Sequence, residues 1–321
     1  MNVQKTIIID INYLSKHKKK MNIKDKNILI TGASGLLGLQ VCKKLSPNNN
    51  LFVLQNLNSQ NSKDCIYGKS IINVNLENLI NTHLLPSGID NIIYMAQANS
   101  NEEDLSYKNK IYNINSINAY ELGKWGVNNG VKSFIYCSSG GVYPLSEKTH
   151  DEEELIPHTG NNEYIASKII GEILLNSFKS SMNVVTLRPF FILGRGHNTN
   201  NLRLFSRILN KIKNREIIDI EGVNGTTINP IDVENASNAL IKSMSLKTNE
   251  IFNISGSENF TIREIISITA EKLGIEPNIR SNNSKSKIPQ KLVGDNTKMK
   301  KKLGIYPKEF KKALIKFVEN N

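Results

Sequence analysis

Apolar positions along the chain come in short, nearly continuous runs. The first after residue 26 is Ile28-Leu29-Ile30, between Lys26-Asn27 and Thr31. It ends in Gly32-Ala33-Ser34-Gly35-Leu36-Leu37-Gly38, and a helix-compatible apolar stretch from Leu39 to Leu45 follows. This pattern predicts a strand, a glycine-rich turn and a helix. Further runs of strand length are Leu51–Leu54, Ser70–Val74, Asn91–Met95, Ser133–Cys137, Asn183–Leu187 and Glu250–Ile254. Segments of helical length, such as Asn115–Asn129 and Tyr164–Ser177, lie between them. Strands alternating with helices predict βαβ units and a doubly wound α/β fold, a parallel sheet with helices on both faces. Runs that are continuously apolar, with no in–out alternation, fit strands buried on both sides. Residues 1–26 share none of this: they are Lys-rich, with one short apolar run and no sustained period.

The glycine turn carries the first chemistry. A phosphate-binding βα turn needs glycine so that the chain can turn tightly, approach a pyrophosphate and pack its helix near the strand. Gly32, Gly35 and Gly38 are spaced GxxGxxG, and their place after the first strand favours a nucleotide site. In a dinucleotide fold an acidic residue at the end of the second strand holds the adenosine ribose. Here that strand ends in Gln55-Asn56, with no carboxylate. Gln55 can hydrogen-bond a 2′-hydroxyl, and no cation precedes Lys63 to take a 2′-phosphate. This favours NAD and leaves NADP open.

Tyr164-Ile165-Ala166-Ser167-Lys168 places a phenol and an ammonium four residues apart on one helix face. A phenol with a pKa near 10 is a poor base at neutral pH, and a nearby ammonium favours its ionised form. Chance alone supplies about one YxxxK in a chain with this much Tyr and Lys, so spacing does not decide. Two occur, Tyr164/Lys168 and Tyr120/Lys124. Position separates them. Cys137-Ser138-Ser139-Gly140-Gly141-Val142-Tyr143 ends the strand Ser133–Cys137, and ligands of open α/β sheets sit beyond the carboxyl ends of strands. The matching position before Tyr120 is Met95, with no hydroxyl. Tyr164 is therefore read as functional, with Ser139 holding a substrate oxygen; Tyr120 and Trp125 are read as packing residues.

Composition narrows the classes. The chain has 321 residues, 39% hydrophobic and 22% charged, a globular balance. No apolar stretch approaches the ~20 residues needed to span a bilayer. The charge at the N-terminus follows its apolar run, the reverse of a secretory signal. Cys42, Cys65 and Cys137 are few and unpaired in spacing, which suits a reducing cytoplasm. The five His residues at 17, 83, 150, 158 and 197 show no ligand spacing, so no metal site is expected; His158 sits just before the proposed catalytic helix. Net charge is +12, but residues 1–26 carry +5 and residues 285–321 carry +8, which leaves residues 27–284 at −1. The basic excess belongs to the ends and makes nucleic acid an unfavoured partner.

Taken in order, these motifs resemble an extended short-chain dehydrogenase/reductase of the NAD-dependent epimerase/dehydratase family. The resemblance runs from residue 27 to about 316. Besides the turn, Ser138–Tyr143 and Tyr164–Glu172, it is carried by Leu187-Arg188-Pro189, Asn253-Ile254-Ser255-Gly256, Thr261-Ile262-Arg263-Glu264, Asp295-Asn296-Thr297-Lys298 and Leu303-Gly304-Ile305-Tyr306-Pro307. It implies a Rossmann-like dinucleotide domain over 27–190, to which 226–255 returns, and a mostly substrate-binding region over 191–321. It implies Tyr164 as base, Lys168 as its tuner and ribose ligand, and Ser139 as partner of the substrate oxygen. The cofactor contacts it implies are Gly32, Ser34, Gly35, Leu36, Leu37, Gly38, Gln55, Asn75, Leu76, Ala96, Asn115, Tyr164, Lys168 and Pro189. A nucleotide-sugar substrate, a role in surface-polysaccharide sugar synthesis and a homodimer built on two helices per subunit are implied as well.

Several positions depart from the family pattern. The third-strand Asp is Asn75, and the paired alanines after the fourth strand are Ala96-Gln97. The substrate-side Asn is Phe191, and the diphosphate-binding Arg is Ile228. The substrate side is then expected to use Ser139, Gly140, Tyr164 and Phe191, with Arg195 and Arg203 as replacement cations. Where family dehydratases carry an Asp-Glu pair and decarboxylases a Glu, this chain has Gly140 and Gly141. That points to 4-epimerisation through a transient ketone, or to reduction of a keto-sugar. The rival reading is a catalytically idle dinucleotide-binding member that grips RNA or an acidic protein.

Overall fold

The computed structural model describes residues 23–55, 70–98, 105–156, 162–195, 203–282 and 290–321. Its first half alternates β1 (Asn27–Thr31), α1 (Leu36–Leu45), β2 (Asn50–Gln55), β3 (Ser70–Asn73), β4 (Asn91–Tyr94), α2 (Leu105–Tyr112), α3 (Asn118–Asn128), β5 (Ser133–Cys137), α4 (Glu163–Asn176) and β6 (Asn183–Pro189). The second half holds β7 (Ile192–Leu193), α5 (Leu204–Lys213), β8 (Ile218–Glu221), β9 (Thr227–Ile228), β10 (Ile231–Asp232), α6 (Val233–Ser243) and β11 (Glu250–Ile254). It closes with β12 (Phe260–Thr261), α7 (Ile262–Leu273), β13 (Ile279–Asn282), β14 (Lys291–Leu292) and α8 (Phe310–Glu319).

Seven strands form one parallel sheet in the order β11-β6-β5-β4-β1-β2-β3. The expected doubly wound, Rossmann-like fold is present. Every residue of β4 and β5 is buried, because side chains alternate between two cores. Ile28, Ile30, Ile93 and Ile135 face a cluster completed by Val41 of α1 and Ala239 and Leu240 of α6. Leu29, Ile92, Tyr94, Phe134 and Tyr136 face the opposite cluster, completed by Ala119 and Leu122 of α3. A third cluster joins α5, β8, α7 and α8 through Phe205, Ile208, Ile218, Ile266 and Leu314.

The segment read as one helix over Asn115–Asn129 is more elaborate. Helix α2 runs into a π-helical turn at Asn113–Ile117 before α3, closed by a bond from Asn118 N to Asn113 O. A widened turn loosens the helical hydrogen-bond ladder, and two sheet tyrosines reach into it. Tyr94 donates to Ile114 O and Tyr136 to Asn115 O, each at 2.5 Å.

Strand order reverses where β1 lies between β2 and β4. At such a switch point the connections depart to opposite faces and leave a crevice beyond the strand ends.

Candidate active site

The crevice is a cavity of about 580 Å³, with the glycine turn lining one end and Ser139 and Tyr164 the other. Gly32 has φ +72°, and a Cβ on it would sit 2.5 Å from the Met95 carbonyl carbon. A Cβ on Gly38 would lie 2.1 Å from Gly32 O. These two glycines let the turn nest against the loop after β4 and against its own helix. Thr31 Oγ1 fixes that loop by accepting from Met95 N and Ala96 N, both at 3.1 Å. Gly35 caps α1 with no side-chain bond, and the first helical turn holds no acidic residue. The first N–H groups of α1 thus open on the cavity at the positive end of the helix dipole, a setting for phosphate.

Gln55 closes the far side. It is buried, lines the cavity, and its Oε1 has no hydrogen-bond partner among the described residues. A buried acceptor without a donor costs on the order of 1–3 kcal/mol, so the site suits a ligand hydroxyl there. The glycine cradle and this acceptor together fit a dinucleotide. Ser34, Leu36, Leu37, Leu76, Ala96, Pro189 and Phe191 line the same cavity. Asn75, Gly140, Asn115, Lys168 and Arg195 are not among its lining residues. The Asn75 side chain accepts from Glu77 N at 3.0 Å in a local turn. Asn115 is fully buried behind the wall. It bonds Ala98 N and Ala98 O, each at 2.9 Å, and donates to Ser167 Oγ at 2.9 Å. It ties the loop after β4 to the helix that carries Tyr164.

Ser139 caps a short 3₁₀ turn over Gly140–Val142, its Oγ accepting from Gly141 N at 3.0 Å. Helix α4 is capped by Asn162, whose side chain accepts from Tyr164 N at 2.9 Å. That cap sets Tyr164 in the first turn, over the cavity, with its hydroxyl 3.3 Å from Gln97 Oε1. Burial pushes the Tyr164 phenol above its ordinary range, and the nearby Ser139 hydroxyl works against the shift. Lys168, fully buried one turn on, donates to Cys137 O at 2.8 Å. Its Nζ lies 5.9 Å from the Tyr164 ring centroid and 5.3 Å from that of Tyr136. Desolvation lowers Lys168 to about 8, with the neighbouring Cys137 and Glu172 opposing.

A sequence profile of the NAD-dependent epimerase/dehydratase family matches residues 28–255, most of the chain. The chain belongs to that family. A 4-epimerase of N-acetyl-α-D-glucosaminyl-diphospho-ditrans,octacis-undecaprenol from Escherichia coli O157:H7 is 27% identical over 186 residues, 57% of this chain and 54% of that protein. A GDP-6-deoxy-D-talose 4-dehydrogenase from Aggregatibacter actinomycetemcomitans is 27% identical over 201 residues, 60% of this chain and 66% of its own length. The chain therefore spans less than two thirds of each of these curated relatives. Among solved structures, the UDP-N-acetylglucosamine 4-epimerase of Methanobrevibacter ruminantium M1 superposes with a TM-score of 0.80 at 23% identity. That match covers 92% of this chain and 98% of the other, and it shows the shared fold.

The family departures also have places in the structure. Phe191 sits in the left-handed region at φ +43°, which Asn visits far more readily than Phe. Ile228 is fully buried in the third core. Arg195 and Arg203 are both exposed; Arg203 also lines the cavity and forms no ion pair among the described residues. His158, Lys63, Cys65, His197 and residues 1–22 lie outside the described residues. No described helix is long and apolar enough to cross a membrane, and no cluster of three metal-ligating side chains occurs among the described residues. Sequence reasoning missed Gln97, the Cys137 carbonyl and Ser138, whose buried Oγ also has no partner among the described residues. Only Gln97 carried a signal, as the departure from a paired alanine.

Proposed function

We propose that this chain catalyses reversible oxidation at C4 of a nucleotide-linked sugar, releasing the 4-epimer. The observation that carries the reading is Ser139 and Tyr164 at one end of a cavity whose other end is the glycine turn, with Lys168 buried behind them, 5.9 Å from the Tyr164 ring centroid. The family is NAD-dependent. We assign the first turn of α1 to the pyrophosphate and Gln55 to the adenosine ribose. When bound, NAD supplies a hydride acceptor and donor at the nicotinamide.

The protein's own part is proton handling. Tyr164 takes the proton of the C4 hydroxyl as the carbonyl forms and returns it when the opposite face is reduced. Its phenolate draws on the Lys168 ammonium, whose charge acts strongly because the side chain is fully buried. Ser139 orients the substrate oxygen between them. Gly140 and Gly141 carry no carboxylate for an elimination, and Gly140 is the more tightly hemmed of the two. A Cβ on Gly140 would be 2.7 Å from the Phe190 ring, and one on Gly141 2.7 Å from Ile165 Cδ1. This supports epimerisation over dehydration. The relatives named above act on sugars at C4 by their names, which favours an enzyme over an RNA- or protein-binding module.

The deciding experiment incubates the purified protein and NAD with a panel of nucleotide sugars and follows product by NMR. Inversion at C4 without net NADH is the expected result. A 4-keto-6-deoxy product overturns it, and a 4-keto-sugar accumulating with matching NADH formed from the supplied NAD assigns the reductase reading, run in reverse, instead.

A further inference from the structure

Two catalytic elements meet at the cavity, the Ser139 turn and helix α4, and they come from opposite ends of the connection between β5 and β6. A buried polar chain joins them from behind. Glu172 stands four residues after Lys168 on α4 and is buried. Arg188, near the end of β6 and also buried, grips it with Nε at 3.1 Å and Nη2 at 2.7 Å. The remaining terminal nitrogen, Nη1, donates to the Tyr143 hydroxyl at 2.6 Å. Tyr143 stands four residues after Ser139 and closes the same 3₁₀ turn, donating its N–H to Gly140 O. Its hydroxyl in turn is placed to donate to Asn253 Oδ1 at 2.9 Å or to the Asp151 carbonyl at 3.0 Å.

We infer that Arg188 is a positioning residue that fixes the Ser139 turn in register with the Tyr164–Lys168 helix. The inference rests on the assignment of Ser139, Tyr164 and Lys168 as the reacting groups. A fork-shaped guanidinium is needed because three directed donors must reach two elements at once, which a lysine ammonium on a flexible stem does not reproduce. Stability alone is a poor account of this pair, since buried ion pairs are often replaced by apolar or neutral groups at no loss. Proton transfer between a hydroxyl and a phenol, by contrast, falls off steeply when the groups are misplaced by about 1 Å.

The test compares R188K, Y143F and the charge-free double variant E172Q/R188M with the wild-type chain. The double variant leaves no uncompensated buried charge, so it keeps the measurement open if R188K alone fails to fold. We expect all folded variants to lose roughly 10- to 100-fold in kcat, with KM for the sugar and affinity for NAD within about threefold. Amide hydrogen exchange of NAD-free protein should quicken over residues 138–145 in the same variants. A folded double variant with wild-type kcat and unchanged exchange would overturn the inference and leave the chain a structural tie. If the wild-type protein turns over no nucleotide sugar, the proposed function fails, while the exchange data still decide whether Arg188 fixes the turn.

Discussion

The two ends of the cavity differ in how much of them is fixed by backbone. At the dinucleotide end, positions are set by close approaches that only glycine allows and by N–H groups that any sequence would present once the helix starts there. At the end we propose for the sugar, the walls are side chains: Phe191, Arg203, Leu204 and Phe205. Those positions can change without disturbing the sheet. At the first end the glycines follow the family pattern, but Gln55 and Asn75 put amides where acidic adenosine contacts are expected; at the second, a phenylalanine occupies a left-handed backbone position. What backbone fixes is retained, and what side chains supply has changed at both ends.

The comparison can be broken most forcefully at the reacting phenol. Tyr164→Phe should lower kcat by about 10²–10⁴ while NAD affinity, read by calorimetry, stays within about twofold. Unchanged turnover would remove Tyr164 from the chemistry. At the dinucleotide end, Gly38→Ala drives a methyl into the Gly32 carbonyl oxygen. NAD affinity should fall on the order of 100-fold, about 2.7 kcal/mol, as the turn is pushed off the phosphate site.

A third test uses stability. Lys168 is depressed from the free-lysine range to about 8 by burial. Between pH 8 and about 10.5 the unfolded chain therefore holds more protons at this site than the folded one, and wild-type stability gains as pH rises. Below pH 8 the buried ammonium costs on the order of 3 kcal/mol. Lys168→Met removes that cost and loses one bond to Cys137 O, worth about 1 kcal/mol. The variant should melt a few degrees above wild type at pH 7, with the gap closing toward pH 10. A gap that widens with pH would contradict the assignment. The smallest effect belongs to the sugar end. Arg203→Gln should raise KM for the nucleotide sugar about 10-fold, the loss of one charge-assisted bond, with kcat within about twofold.

Much of this was legible in the sequence for physical reasons. Strands buried on both faces read as continuous apolar runs, so β1, β4 and β5 announced themselves. The glycine turn and the Tyr164–Lys168 spacing are local, and locality survives in a one-dimensional pattern. Asn75 and Asn115 show where that ends. An Asn offers its amide equally to a ligand, to its own turn or to a distant loop, and only the fold decides among these. Arg195 and Arg203 were equivalent on paper and both are exposed, but only Arg203 lines the cavity. The positive φ at Phe191 carried no signal at all, because nothing about phenylalanine favours it.

The π turn at Asn113–Ile117 acts as a phase corrector. Each residue of an α-helix advances the side-chain direction by about 100°, so an extra residue in a regular helix would rotate everything beyond it. The widened turn takes up that residue, and Ala119 and Leu122 keep facing the sheet. Deleting one residue here would close the turn to a regular helix and leave that face in place. The loss would fall instead on Asn115, removed or drawn away from Ser167 and Ala98, and on the carbonyls that Tyr94 and Tyr136 reach. The length of this five-residue stretch thus answers to the cavity wall and not to the core.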